Sequence, residues 1–413
     1  MDLIVGAGIS GLGYANFCGH DDFLIIDRDS EVGGYCKTVK QDGFVWDYSG
    51  HFFHFSDPSI RRYFLSRMEG TEIYEVIKRT KIRFKGKDID FPFQKNIHQL
   101  EKEDFADCVY HLFFREQSNY STFKEMLFAN YGKGISERFL IPYNEKLYAC
   151  DLDLLDNEAM GRFFPHADIE EIIKNFKQSN NSSYNASFLY PKNGAFEFVN
   201  ALRSGIDNEK ISLNEVLLHV NTVNREATTN KRVIRFDRII SSIPFPKLLD
   251  IIGIEYSREI YTWNKVLVFN LGFDSSCNLD EHWIYFPEKD FCFYRVGFYN
   301  NILGGDRMSL YVELGFKRDA EVDVDYWLKH VMEDLAKANI IASHRLVSKH
   351  SIILDPAYVH INKACQDDVT IKKDMLKNYG IISTGRYGSW TYCSMEDNII
   401  EVKEHIAAMK SSS

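Results

Sequence analysis

The sequence contains no C-x-x-C pair, no apolar run of membrane length and no excess of positive charge. Its eight cysteines are scattered over 413 residues, which excludes a zinc ribbon or a redox dithiol and predicts reduced thiols. No apolar stretch approaches the ~18 residues that a membrane span needs, and no secretory signal precedes Leu3. We therefore expect a cytoplasmic protein without a membrane span.

The charge and composition narrow the function classes. A formal net charge of −10 disfavours binding to a nucleic-acid backbone. Residues 61–87 do hold nine Lys or Arg against three Glu, which we interpret as a solvated face. The composition, with 45% hydrophobic and 26% charged residues, is typical of a globular protein. The aromatic share of 14% has two interpretations, biased codon usage or a ring-lined pocket for a planar cofactor.

An α/β pattern appears three times along the chain, at the start, in the middle and at the end. A mainly helical segment and a β-rich aromatic segment separate the three parts. Within the helical segment we expect a break at Pro142 and a β-like interruption at Lys78–Phe93. The fold class predicted is α/β, with one discontinuous Rossmann-like domain. Its parts are expected at 1–60, 187–250 and 361–413, with a helical insertion or substrate cap at 61–186 and a β-sheet substrate domain at 251–360.

The strongest motif is G-x-G-x-x-G near the N-terminus, which follows an apolar strand and opens a helix. A second apolar strand, Phe23–Ile26, ends in Asp27 about 20 residues on, as the dinucleotide fingerprint requires. The glycines bring backbone N–H groups to a pyrophosphate at the helix N-terminus, and Asp27 accepts hydrogen bonds from the ribose. The predicted contacts in the turn are Gly6, Gly8, Ser10 and Gly11.

A second glycine pair, Gly33 and Gly34, follows Asp27 by six and seven residues. This spacing resembles the second fingerprint of the FAD-binding amine-oxidase and mutase superfamily. No second G-x-G-x-x-G motif offers a separate nicotinamide domain. The resemblance implies that the Rossmann-like domain binds FAD tightly, with Arg28 among the contacts.

Further segments narrow the resemblance to the UDP-galactopyranose mutases. The similar segments are DYSGHFFH at 47–54, FPF at 91–93, PYNEKLY at 142–148, HWIYFP at 282–287, FYR at 293–295 and GRYGSWTYCSM at 385–395. In the family they lie near the flavin, the nucleotide or the diphosphate. They occur here in the family's order over nearly the whole chain.

This resemblance implies an isomerase that interconverts the pyranose and furanose forms of a nucleoside-diphosphate hexose. UDP-galactose and a TDP-6-deoxyhexose such as TDP-fucose are the substrates considered, and the product serves surface polysaccharide synthesis. Family members use reduced FAD, whose N5 forms an adduct with the sugar without net redox change. The implied partner is a nucleotide sugar and no nucleic acid, with a homodimer as a possible assembly.

The site residues follow from the same motifs. The resemblance implies catalytic roles for His51 and Arg295. The further cofactor contacts are Gly50, His51, Gly385, Arg386 and Met395. The substrate contacts are Arg295, Tyr358, Arg386, Tyr392 and Tyr148.

Three side chains have a chemical reason for these roles. A histidine such as His51 can change charge near neutral pH and so tune the flavin. Arg295 and Arg386 supply planar, permanently charged donors suited to phosphate oxygens. No metal is expected, because His51-x-x-His54 lacks further ligands at suitable spacing.

The sequence also departs from the mutase pattern. Cys393-Ser394 stands where Tyr-Asp is usual, Tyr148 replaces a Trp, and Lys174–Asn185 offers no Arg to clamp a diphosphate. The alternative is an FAD-dependent oxidoreductase of the amine-oxidase or protoporphyrinogen-oxidase type. In such an enzyme oxidised FAD takes a hydride and Arg295 is structural. The GHFFH and FYR segments favour the mutase, whereas Cys393-Ser394 does not.

Overall fold

The computed structural model describes residues 1–116, 119–178, 180–181 and 186–411. One of its sheets consists of five parallel strands. In spatial order these strands are Ile381–Ser383, Arg238–Ser241, Asp2–Val5, Phe23–Ile26 and Ile211–Ser212. They come from the beginning, the middle and the end of the chain. The predicted fold class, with a discontinuous Rossmann-like domain, is therefore confirmed.

The helix Ile9–Phe17 begins directly after the first strand and is buried along most of its length. It is apolar on nearly all sides, as a helix enclosed by other elements must be. It packs against the helices Met395–Ser411 and Phe196–Arg203. The remaining helices of this part are Phe245–Ile252, Lys363–Lys377 and the short Gly385–Gly388. The last segment of the chain thus packs directly on the first.

A second, mostly antiparallel sheet has seven strands. Their spatial order is Leu346–Leu354, Asn264–Phe273, Ser309–Lys317, Arg295–Phe298, Trp283–Tyr285, Thr80–Phe84 and Lys87–Asp90. The helix Val324–Lys337 covers it through Val331 and Leu335, which share a buried apolar cluster with the strands. The last two strands confirm the β-like interruption predicted at Lys78–Phe93 within the helical insertion, and they extend the β-rich part. The predicted domain limits stay predictions.

The segment 61–186 otherwise contains helices joined by short turns. The first of these α-helices begins just before the segment, at residue 58. They are Pro58–Arg67, Lys102–Phe113, Phe123–Ile135, Ile141–Tyr148 and Ile169–Asn175. The break expected at Pro142 lies instead at Gly132, whose φ of 69° kinks the helix Phe123–Ile135, and a π-helical turn follows at Ser136–Leu140. Pro142 occupies the first turn of the next helix, where its missing N–H costs nothing.

Smaller β elements complete the fold. They are the hairpin Thr38–Gln41 with Phe44–Asp47, the pair Ile73–Ile77 with Ser187–Pro191, and a three-stranded sheet of Leu217–Asn221, Glu226–Thr229 and Val233–Arg235. The three-stranded sheet was not predicted, because its strands are short and largely polar. Within the described ranges, no helix is long and apolar enough to cross a membrane.

Candidate functional site

A cavity of about 970 Å³ opens where the parallel strands end. Val5 and Ile26, the last residues of two of these strands, line it. This edge of a parallel sheet is where open α/β folds bind their ligands. Among the described residues, none between 52 and 214 lines the cavity, so the insertion expected to form a substrate cap does not contribute to its wall.

The structure brings most of the predicted site residues to this one cavity. Those that line it are Gly6, Gly8, Ser10, Asp27, Arg28, Gly33, Gly34, Gly50, His51, Arg295, Tyr358, Arg386, Tyr392 and Met395. Three predicted residues, Gly11, Gly385 and Tyr148, do not line it. The cavity therefore joins a dinucleotide-type turn and two arginines in one continuous space.

The glycine turn has the geometry of an anion cradle. Gly6 adopts φ +104°, a conformation that favours glycine, and a Cβ there would lie 2.3 Å from Ser242 Oγ. Gly8 precedes the helix Ile9–Phe17 without a capping side chain, so the first N–H groups of that helix remain available. A Cβ on Gly8 would lie 3.9 Å from the Cα of Gly34. The two glycine backbones thus face each other across the turn, where the helix N-terminus favours a pyrophosphate.

Asp27 lies at the end of the second strand, next to this turn. Its Oδ2 accepts a hydrogen bond from the N–H of Ala7 at 2.6 Å, and its Oδ1 accepts one from the N–H of Asp29 at 2.9 Å. Burial raises the pKa of Asp27. These two bonds orient the carboxylate and leave acceptor capacity for ribose hydroxyls. Arg28 also lines the cavity, but its side chain is mostly exposed.

His51 lies on the wall of the cavity, and its Nδ1 is buried without a hydrogen-bond partner. Burial lowers the pKa of His51 to about 4, and the charge of Arg386 acts in the same direction. The imidazole is therefore neutral at physiological pH. The expectation that His51 changes charge near neutral pH does not fit this environment. His51 instead offers a neutral ring nitrogen to whatever fills the cavity.

Arg295 forms a bidentate ion pair with Glu313. Its Nε and Nη2 donate to the two carboxylate oxygens at 2.7 and 2.8 Å. Glu313 is completely buried and lies opposite Arg295 in the neighbouring strand. The hydroxyl of Ser49, just before Gly50, donates to the same carboxylate. Sequence analysis did not identify Glu313, because its partner lies 18 residues away on another strand.

Arg386 has a different environment. Its Nη1 donates to the carbonyl of Cys393 at 3.3 Å, while its Nε is buried without a partner. Its guanidinium carbon lies 5.2 Å from the ring centre of Tyr358 and 4.7 Å from that of Tyr392. These two rings are stacked at 5.8 Å. In the described part of the chain no carboxylate forms an ion pair with Arg386, so an anionic ligand has an uncompensated cation to bind.

The three predicted site residues that lie outside the cavity wall contact other parts of the protein instead. A Cβ on Gly11 would lie 1.9 Å from the carbonyl oxygen of Gly6, so Gly11 lets the helix approach the turn. Gly385 adopts φ +81°, and its N–H donates to Glu401 at 2.7 Å. Tyr148 is buried behind Tyr358, with 5.8 Å between the ring centres. Tyr148 thus supports Tyr358 rather than the expected contact with a nucleotide.

Asn398 is a cavity residue that the motifs did not reveal. Its Oδ1 accepts hydrogen bonds from Ser10 Oγ at 2.9 Å and from the N–H of Arg386 at 2.8 Å. Its Nδ2 donates to the carbonyl of Ser394 at 2.6 Å. Asn398 therefore ties the first glycine turn to the C-terminal segment. Its spacing from Gly385 carries no motif that would have indicated this role.

Ser394, one of the two residues that depart from the mutase pattern, directly precedes the last helix, Met395–Ser411. Its hydroxyl and N–H both bond the carboxylate of Asp397, and the N–H of Asp397 bonds the Ser394 hydroxyl, which is a helix-capping arrangement. Cys393 lines the cavity beside it, and burial raises the pKa of its thiol to about 12. Much of the segment searched for a clamping arginine, residues 179 and 182–185, lies outside the described residues.

Glu401 fixes the turn that carries Arg386, and its removal gives a testable prediction. Burial raises its pKa, but His405, Lys373, Ser389 and the N–H of Gly385 together lower it to about 2. The carboxylate therefore stabilises the fold above its ordinary pKa of 4.5, and this contribution is lost as the pH falls toward 2. We expect Glu401→Gln to lower the free energy of unfolding at pH 7 by about 2–3 kcal/mol.

Urea unfolding of both proteins at several pH values tests this expectation. The difference between wild type and Glu401→Gln should shrink steadily below pH 4.5. A difference that stays constant down to the lowest pH at which both proteins fold would contradict the role given to the charge. Lys377→Gln is a suitable control, because its ion pair with Asp374 is exposed and should contribute little.

Unsatisfied polar atoms in the cavity wall indicate that the cavity is built for a ligand. The buried atoms without a partner there are His51 Nδ1, Tyr294 Oη, Arg386 Nε and Trp390 Nε1. Leaving such groups unpaired costs free energy that a polar ligand recovers. The described residues contain no group of three or more His, Cys, Asp or Glu side chains arranged to hold a metal ion. The unpaired atoms of the wall thus fit a polar ligand that can hydrogen-bond to them.

Comparisons with known proteins agree with this geometry. Residues 4–66 match the family model of the NAD(P)-binding Rossmann-like domain. A reduced UDP-galactopyranose mutase has a TM-score of 0.92 and 21% identity, covering 100% of this chain and 94% of that chain. A putative protoporphyrinogen oxidase from Exiguobacterium sp. 255-15 has a TM-score of 0.80 and 15% identity, covering 100% and 99%. Cyclohexylamine oxidase from Brevibacterium oxydans IH-35A has a TM-score of 0.69 and 13% identity, covering 100% and 98%.

These likenesses establish the fold. The chain has the fold of a mutase and, less closely, that of two oxidases. The resemblance to the mutases stated from the motifs is therefore confirmed at the level of the fold. Similarity at this identity does not choose between the reactions, so the choice rests on the site.

Proposed function

We propose that the protein is an FAD-dependent nucleotide-sugar mutase that interconverts the pyranose and furanose forms of a nucleoside-diphosphate hexose. UDP-galactose and a TDP-6-deoxyhexose such as TDP-fucose are the substrates proposed, in surface polysaccharide synthesis in the cytoplasm. The observation that carries the proposal is Arg386, a partly buried cation without an acidic partner among the described residues, which shares a cavity with a dinucleotide-type turn. An amine substrate carries no anionic group that such a cation would bind.

The wall of the cavity fits FAD. Gly6, Gly8 and Gly34 leave space for the pyrophosphate, and Asp27 would hold the ribose. The further proposed contacts are Ser10, Arg28, Gly33, Gly50, His51, Arg386 and Met395, with Gly11 and Gly385 shaping the turns behind them. Reduced FAD bound there would supply a nucleophilic ring nitrogen.

The protein's own part in the reaction is to bind, orient and shield. The guanidinium of Arg386 would hold the leaving diphosphate, because a charge-assisted hydrogen bond to an oxyanion strengthens as negative charge develops. Tyr358 and Tyr392 flank that guanidinium and would exclude water from the phosphate oxygens. Arg295 completes the same wall, and Tyr148 holds the Tyr358 ring in place. The neutral Nδ1 of His51 would contribute one hydrogen bond to the cofactor.

An anaerobic assay tests the proposal. Protein with bound FAD would be reduced with dithionite and incubated with UDP-galactopyranose and with TDP-fucopyranose, and the anomeric proton signals of the products would be recorded by NMR. We expect a furanose product with one of the two sugars, and none with the oxidised protein. No product from either sugar, together with FAD that an amine or a porphyrinogen reduces and air reoxidises, would establish the oxidase instead.

A further inference from the structure

Two of the arginines that line the cavity, Arg295 and Arg386, differ in whether an acidic partner cancels their charge. Arg295 is bound through Nε and Nη2 to Glu313, which is completely buried. Burial opposes the ionisation of Glu313, but the charge and the hydrogen bonds of Arg295 hold the pKa of its carboxyl below the ordinary value. The carboxylate is therefore ionised, and the pair as a whole adds no net charge to the cavity.

Arg386 keeps its full charge. Within the described ranges its hydrogen-bond partner is a backbone carbonyl, that of Cys393, and its Nε is unpaired. The charges of Arg295 and Arg386 both act on the Tyr358 hydroxyl and on the His51 ring, so the two guanidiniums lie near the same part of the cavity. An anion that enters there meets one neutral pair and one free cation.

Glu313 also connects the two sides of the cavity. The hydroxyl of Ser49 donates to its Oε1, and Ser49 directly precedes Gly50 and His51. The strand that carries Glu313 is thereby fixed to the segment proposed to lie across the cofactor. A carboxylate with these contacts has a positioning role for both Arg295 and Ser49.

We propose that Glu313 cancels the charge of Arg295 and fixes it as a positioning residue, so that of these two arginines it is Arg386 that supplies the net positive charge attracting the diphosphate. This inference rests on the proposed function. It differs from the role implied by the resemblance, in which Arg295 binds the diphosphate directly. The inference predicts an unusual direction of change, because removing the acid Glu313 should strengthen anion binding.

Titration of FAD-loaded protein with UDP tests the inference, with uridine as the uncharged probe. Glu313→Gln frees the charge of Arg295, and we expect it to bind UDP roughly 10-fold more tightly, with little change for uridine. The double variant Arg295→Gln with Glu313→Gln removes both charges, and its UDP affinity should stay within about threefold of the wild type. Glu215→Gln is the control, since Glu215 is another buried cavity carboxylate that pairs with an arginine, Arg232.

Each outcome has one meaning. Weaker UDP binding in Glu313→Gln would overturn the inference, because the carboxylate would then not be cancelling a charge that attracts the anion. A double variant that loses more than about tenfold in UDP affinity would also overturn it, because Arg295 would then contact the diphosphate itself. Equal changes for UDP and uridine would show a structural effect and also overturn it. If the uncompensated Arg295 prevents Glu313→Gln from folding, the double variant alone decides. A wild-type protein that binds no UDP overturns the proposed function, whereas the other failures leave that function intact.

Discussion

Replacing Gly11 by alanine is expected to leave the purified protein nearly free of FAD. The new Cβ would lie 1.9 Å from the carbonyl oxygen of Gly6 and 3.1 Å from Ile4 Cγ2. A backbone oxygen has no free rotation with which to move away, so the glycine turn itself must shift. We expect a cost of about 3 kcal/mol, or roughly a hundredfold in FAD affinity. Flavin released on denaturation, counted per mole of protein, measures the loss.

Gly13→Ala is the matched control for this variant. It places the same methyl group in the same helix, where it meets only the terminal Ile399 Cδ1 at 2.8 Å. A side-chain methyl can rotate away at small cost, so Gly13→Ala should retain its FAD. If Gly11→Ala folds with a native circular dichroism spectrum and holds as much FAD as the control, the turn does not form the cofactor site.

Replacing Arg386 by glutamine is expected to lower kcat/KM roughly a thousandfold while FAD stays bound. Glutamine fills part of the same space and retains hydrogen-bonding ability, but it carries no charge. The partly buried Arg386 has no acidic partner among the described residues, so no carboxylate is left uncompensated by the change. Steady-state rates with the active nucleotide sugar, measured anaerobically on the reduced protein, give the effect.

Arg318→Gln separates this role from a general effect of cavity charge. Arg318 also lines the cavity, but its side chain is half-exposed, pairs with Asp319 at 3.0 Å and lies over the Trp263 ring. We expect its loss to change kcat/KM by less than about fivefold, as for other exposed ion pairs. Loss of bound FAD in Arg386→Gln would show that the main role of this arginine is to hold the cofactor rather than the diphosphate, and would remove the main support for the mutase.

The parts of the site that short motifs encode were predictable. Gly6, Gly8, Asp27, Gly33 and Gly34 lie within one strand–helix–strand unit, and their spacing alone brings them together. A backbone turn needs glycine for local steric reasons, whatever the rest of the chain does. The order of the α/β segments was also predictable from the sequence, and it correctly indicated a sheet formed from three separate parts of the chain.

The features that the sequence did not reveal have a common physical origin, which is contact between residues far apart in the chain. The strands Thr80–Phe84 and Lys87–Asp90 join the second sheet because an open edge at Trp283–Tyr285 accepts them, and that edge is formed 200 residues later in the chain. Tyr148 has an aromatic ring suited to stacking on a nucleobase, yet Tyr358 lies between it and the cavity. The π-helical turn before Pro142 likewise depends on packing rather than on local propensity.

The sequence by itself determined the dinucleotide turn, the glycine pair after Asp27 and the presence of two arginines in flavin-type segments, because each is a local pattern. Only the tertiary structure decided how much net positive charge each of those arginines brings to the cavity. Glu313 reaches Arg295 from another strand and neutralises it, whereas Arg386 meets two tyrosine rings and no described acid. Net charge in a buried cavity is a sum over partners distant in sequence, and only the folded chain brings those partners within hydrogen-bonding distance.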